Sequence, residues 1–542
     1  MSAAIPSGMT AFSRFYIIHK TVKMVPKKEK IWKVIKTILF IALVILVGAA
    51  AVFGRLLGKS LQWLSEAWND VSFTTALFQI KTPMAGVNSG EVEEYIRAAV
   101  VPTILLCGIP LTVNLFIAIF LKVKNYSIPI ATRKKEKALD YKFTVLYGAL
   151  LVMLVSWVDV PAMAEATGAD EYVANAFRGD STFYQDYYAD PEKTALTFPE
   201  QKRNLVMIYM ESMETTYADT EEGGAESTNL IPNLTDLALS NVSFSNNERL
   251  GGCTSTEGTT WTMAAILAST SGVPYAIPVE GNSMDQYSSF LPHLTALGDI
   301  LEANGYKNYF TCGSDATFGG RKLYFTDHGD YTFYDWLYAK RQGYIRKDYE
   351  YGWGMEDIKT IAMAEKELSK VAAKGEPFNF TFLTQDTHHP IGWTCDECEP
   401  MPGETRYSTC IRCSDKQVTK FVKWIQSQPW YENTTVILLG DHCSMATDFF
   451  DDLPDDYERH VYNCFLNLPE GLEPVNEKDR LFSTEDYFPT ILAALGVQID
   501  GDRLGLGTNL FSDKLTVLEQ IGLDQYNTEV SGNTAYYMSH FE

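Results

Sequence analysis

The sequence has no internal repeat and no low-complexity tract, and its larger part is poor in basic residues. After residue 163 there are 26 Lys and Arg residues against 59 Asp and Glu residues. The absence of repeats excludes a solenoid or propeller architecture. The shortage of positive charge argues against nucleic acid as a partner, because binding a phosphate backbone requires clustered Lys and Arg. What remains is a long, acidic chain that can bury a large core.

Long apolar runs without charge are confined to the first 163 residues. About 20 apolar residues span the hydrocarbon core of a bilayer, so the first two runs fit well, and the third fits if Asp159 lies at the interface. A signal peptide is the alternative for the first run, but that run begins about 36 residues into the chain and two more follow. We therefore predict a membrane anchor over 1–163, with transmembrane helices at about 35–57, 98–121 and 142–163.

Basic residues also predict the orientation of this anchor. Residues 1–36 hold eight Lys and Arg against one acid, and residues 122–142 hold seven against two, whereas residues 55–97 hold four against five. By the positive-inside rule, the N-terminus and the 122–142 loop are cytoplasmic. Three crossings then place everything after about residue 165 outside the cytoplasm, in a multi-pass protein of the cell membrane.

An alternating α/β pattern begins at Asn204, after a polar and aromatic stretch over 164–203 that we interpret as a juxtamembrane linker. Three apolar segments, at 204–210, 379–385 and 435–440, look like buried parallel strands. Each is followed by polar side chains that can bind a metal ion or transfer a proton. Because ligand sites in open α/β sheets lie at the carboxyl ends of the strands, we predict that these side chains converge in one domain spanning 204–542.

The residues after these strands indicate a metal site and a hydroxyl nucleophile. Glu211, Asp441 and His442 are hard or borderline ligands suited to Zn²⁺ or Mn²⁺, and a bound metal is one way to activate a weak hydroxyl nucleophile. The segment 251–274 crowds hydroxyls and glycines before an apolar helical run, where a helix N-terminus favours phosphate. Composition does not choose among the threonines of this segment, which are Thr254, Thr256, Thr259, Thr260 and Thr262.

Six ordered strings between about residues 204 and 512 resemble a known enzyme family. The strings are NLVMIYMESME, GTTWTMAAILASTSGVP, LGDILEANGYKNYF, FLTQDTHHP, LLGDH and GLGTNL. In this order they resemble the sulfatase-like phosphoglycerol transferases of the alkaline phosphatase superfamily, which act on osmoregulated periplasmic glucans, and the related lipoteichoic acid synthases. The resemblance implies N-terminal transmembrane helices followed by an α/β domain of this superfamily with a central mixed sheet.

The resemblance also assigns roles to individual residues. The metal ligands of the family are matched by Glu211, Asp441 and His442, and the family's nucleophile also binds the metal. Thr262 matches this nucleophile best, because Ser271 and Gly272 follow it at the family's spacing. His388 matches a histidine that contacts the phosphate or protonates the leaving group, with His389 as its nearest rival. Arg321 resembles the arginine that binds the glycerol-phosphate head group.

The implied activity is transfer of glycerol phosphate from phosphatidylglycerol to a glycan or a glycerol-phosphate polymer through a phosphothreonine. One divalent metal is expected, Zn²⁺ or Mn²⁺, with Mg²⁺ as a further candidate. A phosphoethanolamine transferase or a phosphodiesterase of the same fold is an alternative, and so is a catalytically dead protein that binds glycan or lipid at the membrane. The sulfatase nucleophile motif C-x-P-x-R is absent, since Thr-Ser-Thr follows Cys253, which weighs against sulfate ester hydrolysis.

Two CxxC pairs, Cys395 with Cys398 and Cys410 with Cys413, lie soon after His388. Four thiols at this spacing are typical of a structural zinc site in a reducing compartment. Outside the cytoplasm, two disulfides that close this loop are the competing interpretation. We expect core packing for Cys443 despite its position next to His442.

Overall fold

The structure, a computed structural model, describes residues 27–67, 93–126, 128–132, 135–139, 141–175, 181–276, 289–454, 456–532 and 534–541. The chain divides into two compact units. One combines Met1–Phe53 with Cys107–Ser156, and the other combines Gly54–Leu106 with Trp157–Glu542. The predictions for residues 1–26 and for most of the 55–97 loop concern residues outside the described ranges.

Three apolar segments of the N-terminal region are helical. Helix α1 spans Lys27–Ala67, helix α2 spans Glu93–Lys124, and helix α3 (Tyr141–Ser156) is followed closely by α4 (Val160–Thr167). Each of the three segments is long and apolar enough to cross a membrane, and the predicted spans lie inside them. Large apolar side chains such as Leu46 and Phe116 are 67% exposed, as lipid-facing side chains must be. The helices indicate a multi-pass membrane protein.

Two details of these helices bear on the predicted ends of the spans. Asp159, which we expected at the membrane interface, forms an ion pair with Arg55 over 3.2 Å. It lies in the short break between α3 and α4. Helix α2 contains two π-helical turns, at Ile96–Val100 and Ile104–Gly108. Between α2 and α3 lies a short antiparallel hairpin of β1 (Ile128–Thr132) and β2 (Lys135–Leu139).

A six-stranded mixed sheet organises the larger part of the chain, in agreement with the prediction. Its order is β6-β5-β7-β4-β8-β9; every neighbouring pair is parallel except β8 with β9, which is antiparallel. The strands are β4 (Asn204–Met210), β5 (Lys307–Cys312), β6 (Thr332–Tyr334), β7 (Phe378–Leu383), β8 (Thr434–Gly440) and β9 (Asn463–Leu466). Short strands β3 (Leu196–Thr197), β10 (Gln498–Ile499), β11 (Arg503–Leu504) and β12 (Gly507–Thr508) form two separate two-stranded ribbons.

Both faces of this sheet are covered, which explains why its strands are continuous apolar runs. Along β4, Leu205, Met207 and Tyr209 enter one hydrophobic cluster, and Val206 and Ile208 enter the other. Alternate side chains of a strand point to opposite faces, so a strand buried on both sides cannot alternate with polar residues.

The other α-helices of the described residues precede, connect and follow these strands. In chain order they are α5 (Ala169–Asn175), α6 (Phe183–Tyr187), α7 (Pro232–Ser240), α8 (Thr262–Ser271), α9 (Leu297–Ala303), α10 (Arg321–Asp327), α11 (Trp336–Gln342), α12 (Asp357–Ala372), α13 (Arg406–Gln426), α14 (Tyr487–Ala494), α15 (Val517–Ile521), α16 (Leu523–Gly532) and α17 (Thr534–Phe541).

The sequence pattern over 291–305 predicts a longer helix than the structure contains. Helix α9 begins only at Leu297, because the Asp299 carboxylate accepts a hydrogen bond from the backbone N–H of Ala296 at 2.9 Å and fixes the start of the helix there. Upstream, Leu291 adopts a left-handed backbone conformation with φ of 44°, which is incompatible with a continuous helix.

Candidate active site

The carboxyl ends of β4 and β8 place three metal-ligand side chains together. The two strands pair in parallel from Asn204 to Met210, so Glu211 and Asp441, the next residues of each strand, leave the sheet side by side. The chain then turns at Ser212, whose φ is 52°, and its backbone N–H donates to Asp441 Oδ1 at 2.8 Å. The Asp441 carboxylate is thus held by backbone N–H groups, whereas the Glu211 carboxylate accepts from the hydroxyls of Ser212, at 2.7 Å, and Thr262.

Donor atoms of Glu211, Asp441 and His442 all lie within 4.8 Å of one another, and the three residues are buried. His442 Nε2 is 3.6 Å from Glu211 Oε1 and 3.5 Å from Asp441 Oδ2. The Nδ1 atom of His442 lies 2.8 Å from the carbonyl oxygen of Cys443. Because a carbonyl only accepts hydrogen bonds, Nδ1 carries the proton and Nε2 presents its lone pair to the cluster.

An unsatisfied oxygen indicates that this cluster is built for a cation. Asp441 Oδ2 is buried and has no hydrogen-bond partner among the described residues, an expensive state for a carboxylate oxygen. Two carboxylates and one imidazole nitrogen are the donor set of divalent metal sites. The residues present therefore fit a divalent metal ion.

The electrostatics of the cluster lead to the same conclusion. Burial and the neighbouring charge of Glu211 raise the pKa of Asp441 to about 7. Burial also acts to raise the pKa of Glu211, but the neighbouring His388 and His442 side chains, together with hydrogen bonds from Ser212 and Thr262, outweigh it and lower that pKa. Burial acts to lower the pKa of His442, whereas the carboxylates of Asp441 and Glu211 raise it overall. A bound cation would take the place of the protons that these residues hold and would stabilise both carboxylates as anions.

Thr262 lies at the edge of this cluster, at the first residue of α8. Its hydroxyl donates to Glu211 Oε2 at 3.2 Å. The preceding residue, Trp261, is extended and has no capping side chain, so the first N–H groups of α8 are available to an anion. The hydroxyl and the helix N-terminus thus face the same space.

The rival threonines have other environments. Thr259 is buried, and its hydroxyl donates to the carbonyl oxygen of Thr256 at 2.8 Å and accepts from the N–H of Thr256 at 3.0 Å. This closes a local turn. Thr260 lines a neighbouring pocket with Thr254 and Ser255. Of the threonines weighed from the sequence, Thr262 is the one whose hydroxyl bonds to Glu211 and lines the pocket described next.

Arg321 reaches the same pocket from the loop after β5. Gly319 and Gly320 have positive φ values of 66° and 76°, a conformation that side chains disfavour, and they turn the chain into α10. Among the described residues, the buried guanidinium donates to neutral oxygens, namely the carbonyls of Phe318 and Asp315 and the hydroxyl of Ser314, at 2.9 to 3.1 Å. Its positive charge is therefore available to an anionic ligand.

His388 and His389 follow β7 and complete the pocket, which is also lined by Glu211, Thr262, Arg321 and His442. His388 Nδ1 lies 2.9 Å from the carbonyl oxygen of His389, so Nδ1 is protonated and Nε2 is left for a ligand. Burial, with the charges of His388 and His442, lowers the pKa of His389 well below its usual value. His389 is thus a neutral, buried ring stacked on His388 at 4.6 Å.

Sequence reasoning missed two residues of this pocket. Ser314 comes two positions after β5 and bonds to Arg321; the strand-end rule that found the other residues could have found it, had β5 been recognised. Trp353 lines the pocket, and its ring centroid is 4.9 Å from that of His388 and 5.0 Å from that of Phe318. No sequence signal marks Trp353, because it lies in a loop that is distant from His388 in the sequence.

The cysteine loop differs from both predicted arrangements. Cys398 and Cys413 form a disulfide, and Cys395 lies beside it, with its sulfur 3.6 Å from that of Cys398 and 3.9 Å from that of Cys413. Cys410 is buried apart from these three and its sulfur faces the carbonyl oxygen of Ile391. The expectation of two disulfides is therefore wrong. Structural zinc is not contradicted, because Cys395, Cys398 and Cys413 form a group that could hold a metal ion, although Cys410 is not part of it. Cys410 and Cys413 both lie in α13, three positions apart.

Comparisons with known proteins agree with this architecture. The family model described as Sulfatase matches residues 203–497. Phosphoglycerol transferase I of Escherichia coli O139:H28 and that of strain K12 are each 32% identical over 392 residues, covering 71% of this chain and 48% of the relative. The chain thus spans about half the length of the curated relatives it matches.

Two solved structures are similar at lower identity. The lipoteichoic acid synthase LtaP from Listeria monocytogenes gives a TM-score of 0.45 at 20% identity, covering 59% of this chain and 79% of that one. The lipooligosaccharide phosphoethanolamine transferase A from Neisseria meningitidis gives 0.46 at 14% identity, covering 84% of each chain.

Proposed function

Because the chain belongs to the sulfatase family, we propose that it is a metal-dependent phosphotransferase that moves glycerol phosphate from phosphatidylglycerol to an acceptor hydroxyl. The observation that carries the proposal is the position of the Thr262 hydroxyl. Thr262 is the first residue of α8, and its hydroxyl donates to Glu211. Arg321 and His388 line the same pocket. The 32% identity to phosphoglycerol transferase I supports glycerol phosphate as the transferred group.

Each residue of the pocket takes one part of the reaction. Glu211, Asp441 and His442 would hold the divalent metal, Zn²⁺ or Mn²⁺ by ligand type and Mg²⁺ as a further candidate, which lowers the pKa of a coordinated hydroxyl and neutralises phosphoryl charge when bound. The oxygen of Thr262 attacks phosphorus, and diacylglycerol leaves with a proton from His388. Arg321 and the N–H groups of α8 orient the phosphoryl oxygens, since positioning and charge stabilisation dominate phosphoryl transfer.

In the second half of the reaction, an acceptor hydroxyl attacks the glycerophospho-threonine. His388 takes the proton of the acceptor, in reverse of its first role, and Thr262 is released. The acceptor is a glycan or a growing glycerol-phosphate polymer. If water takes its place, the same residues give a phosphodiesterase.

Sulfate ester hydrolysis is not proposed despite the family. The motif C-x-P-x-R is absent, and Cys253 is fully buried, with its sulfur in contact with the hydroxyl of Thr484 rather than lining the pocket. Burial raises the pKa of the Cys253 thiol well above its usual value, so it is a poor nucleophile.

A lipid donor accounts for the apolar helices. We propose that the N-terminus and the 122–142 loop are cytoplasmic, and that the pocket lies outside the cytoplasm, where it meets phosphatidylglycerol of the outer leaflet. The excess of basic residues in those two segments supports this orientation. No nucleic acid is expected among the partners of so acidic a domain.

The test is to supply the full-length protein in phospholipid vesicles with head-group-labelled phosphatidylglycerol or phosphatidylethanolamine. We expect metal-dependent release of diacylglycerol from phosphatidylglycerol, and transfer of its label to an added glycan. Preference for phosphatidylethanolamine would establish the alternative transferase, and release of free glycerol phosphate despite added glycan would establish a phosphodiesterase. Binding of lipid or glycan without turnover of either donor would contradict an enzymatic function.

A further inference from the structure

The three sulfur atoms of Cys395, Cys398 and Cys413 form a compact group that the proposed phosphotransfer does not use. The structure pairs Cys398 with Cys413 and leaves Cys395 as a free thiol. The Cys395 sulfur is within 3.9 Å of both sulfurs of the disulfide. A thiol in van der Waals contact with a disulfide is in the position from which thiol–disulfide exchange begins.

We propose that this group is an internal thiol–disulfide exchange site, in which Cys395 displaces Cys413 from Cys398. Cys395 loses its proton to solvent, and the thiolate forms a bond with the sulfur of Cys398. The bond from Cys398 to Cys413 breaks, and Cys413 departs as a thiolate that takes up a proton. One disulfide is broken and one is formed, so no external oxidant or reductant is consumed.

The surroundings of the sulfurs favour this reaction. The side-chain amide nitrogen of Gln417 is 3.1 Å from the Cys395 sulfur and 3.2 Å from the Cys413 sulfur, so one donor reaches both the attacking and the departing sulfur. The backbone N–H of Glu397 also donates to Cys395, at 3.4 Å. Hydrogen bonds to a thiolate stabilise it. The Gln417 amide can therefore stabilise the Cys395 thiolate before the exchange and the Cys413 thiolate after it.

Burial works against the exchange and makes it dependent on pH. It raises the pKa of the Cys395 thiol, although the donors from Glu397 and Gln417 offset part of the effect. The attacking species is the thiolate. The rate of exchange therefore rises as the pH approaches that pKa from below.

Exchange changes what the disulfide holds together. The bond from Cys398 to Cys413 ties the loop after His388 to helix α13, whereas a bond from Cys395 to Cys398 would lie wholly within the loop and release the helix. The loop meets the candidate active site through Trp393, whose backbone N–H donates to the carbonyl of Asp386 at 2.8 Å and whose ring lies 6.0 Å from that of His388. The pairing of the cysteines therefore affects the loop that supports His388 at the edge of the pocket.

The test maps the disulfide in the full-length protein purified without reductant. Samples held at mildly alkaline pH are quenched with acid, unfolded, labelled with N-ethylmaleimide and digested for mass spectrometry. We expect the label of this group to divide between Cys395 and Cys413, with about a tenth of the molecules or more carrying it on Cys413. Label on Cys395 alone, at every pH tested, would overturn the proposal.

Two variants separate exchange from misfolding. Cys413→Ser should contain the Cys395–Cys398 disulfide, whereas labelling of both cysteines in that variant, after oxidation in air, would contradict the proposal. Cys410→Ser is the matched control, because Cys410 lies on the same helix but outside the sulfur group, and it should divide the label as the unaltered protein does. All of these readouts are independent of phosphotransfer, so the proposed function and the exchange site can fail separately.

Discussion

The pocket has two walls of different construction. The sheet wall consists of Glu211, Asp441 and His442, which continue directly from paired strands. Backbone groups hold Asp441 and His442, and side-chain hydroxyls hold Glu211. The loop wall consists of Arg321 and His388, which depend on glycine turns and on aromatic neighbours for their positions. In the proposed reaction, the sheet wall would hold the metal beside Thr262, where small displacements cost most. The loop wall would bind the phosphoryl group through Arg321 and transfer protons through His388.

The largest effect is expected where Thr262 meets the sheet wall. Thr262→Ala should lower diacylglycerol release by about 10³-fold or more, because loss of a nucleophile removes the covalent route altogether. Rates of release with excess metal measure this. Thr260→Ala is the matched control, since Thr260 is two residues away in the same segment but does not bond to Glu211, and it should keep near-normal rates. Equal losses in both variants would show that the segment, and not the Thr262 hydroxyl, matters.

A smaller loss is expected on the loop wall. Arg321→Lys should lower kcat/KM for phosphatidylglycerol by about 10²-fold, because a lysine keeps the charge but loses the planar arrangement of donors. Bound metal, measured by elemental analysis, should not change, since Arg321 contacts no ligand of the cluster. The exposed neighbour Lys322 provides the control variant Lys322→Ala. Loss of metal in Arg321→Lys would mean that the two walls are not separate.

The sheet wall should also respond to pH when metal is removed. The pKa of Asp441 in the folded protein is about 7, against an ordinary value of 3.8, so the folded state holds this proton more tightly than the unfolded state. The resulting stability is complete below the ordinary value and is lost as pH rises through about 7. The raised pKa of His442 also makes the stability of the folded state fall as pH rises. The lowered pKa of Glu211 affects that stability only at more acidic pH.

We therefore expect the thermal midpoint of chelator-treated protein to fall from about pH 5 to about pH 8, and added Zn²⁺ or Mn²⁺ to reverse most of that fall. The comparison is with Asp441→Asn, which cannot titrate there and should show a shallower dependence in the absence of metal. Parallel curves for the two proteins would contradict the assignment of this pH dependence to Asp441.

The smallest effect concerns the rival nucleophile. Thr259→Val should remove two hydrogen bonds to Thr256 and cost about 1–2 kcal/mol in the free energy of unfolding. It should change diacylglycerol release less than about threefold, because the Thr259 hydroxyl faces its own turn and not the cluster. Scanning fluorimetry and the lipid assay give the two readouts. A large loss of activity without loss of stability would reopen the choice between Thr259 and Thr262.

The same contrast explains what could be predicted from the sequence. Strands β4, β7 and β8 are apolar runs buried on both sides, and the rule that sites lie at strand ends brings Glu211, His388 and Asp441 together without further knowledge. Arg321 was assigned only by resemblance to the family, because its position depends on the turn at Gly319 and Gly320. Trp353 was not predicted, since its contact with His388 joins distant loops. The pairing of Cys398 with Cys413 does not follow from the sequence, because CxxC spacing does not determine which sulfurs meet in the folded loop.

The central claim is that Thr262 carries the glycerol-phosphate group. Full-length protein should be incubated with phosphatidylglycerol and metal in the absence of acceptor, quenched with acid and digested for tandem mass spectrometry. We predict a glycerophosphate adduct on the Thr262 residue of the 251–274 segment. Release of diacylglycerol with the adduct on another residue, or with no adduct on any residue, would contradict the claim.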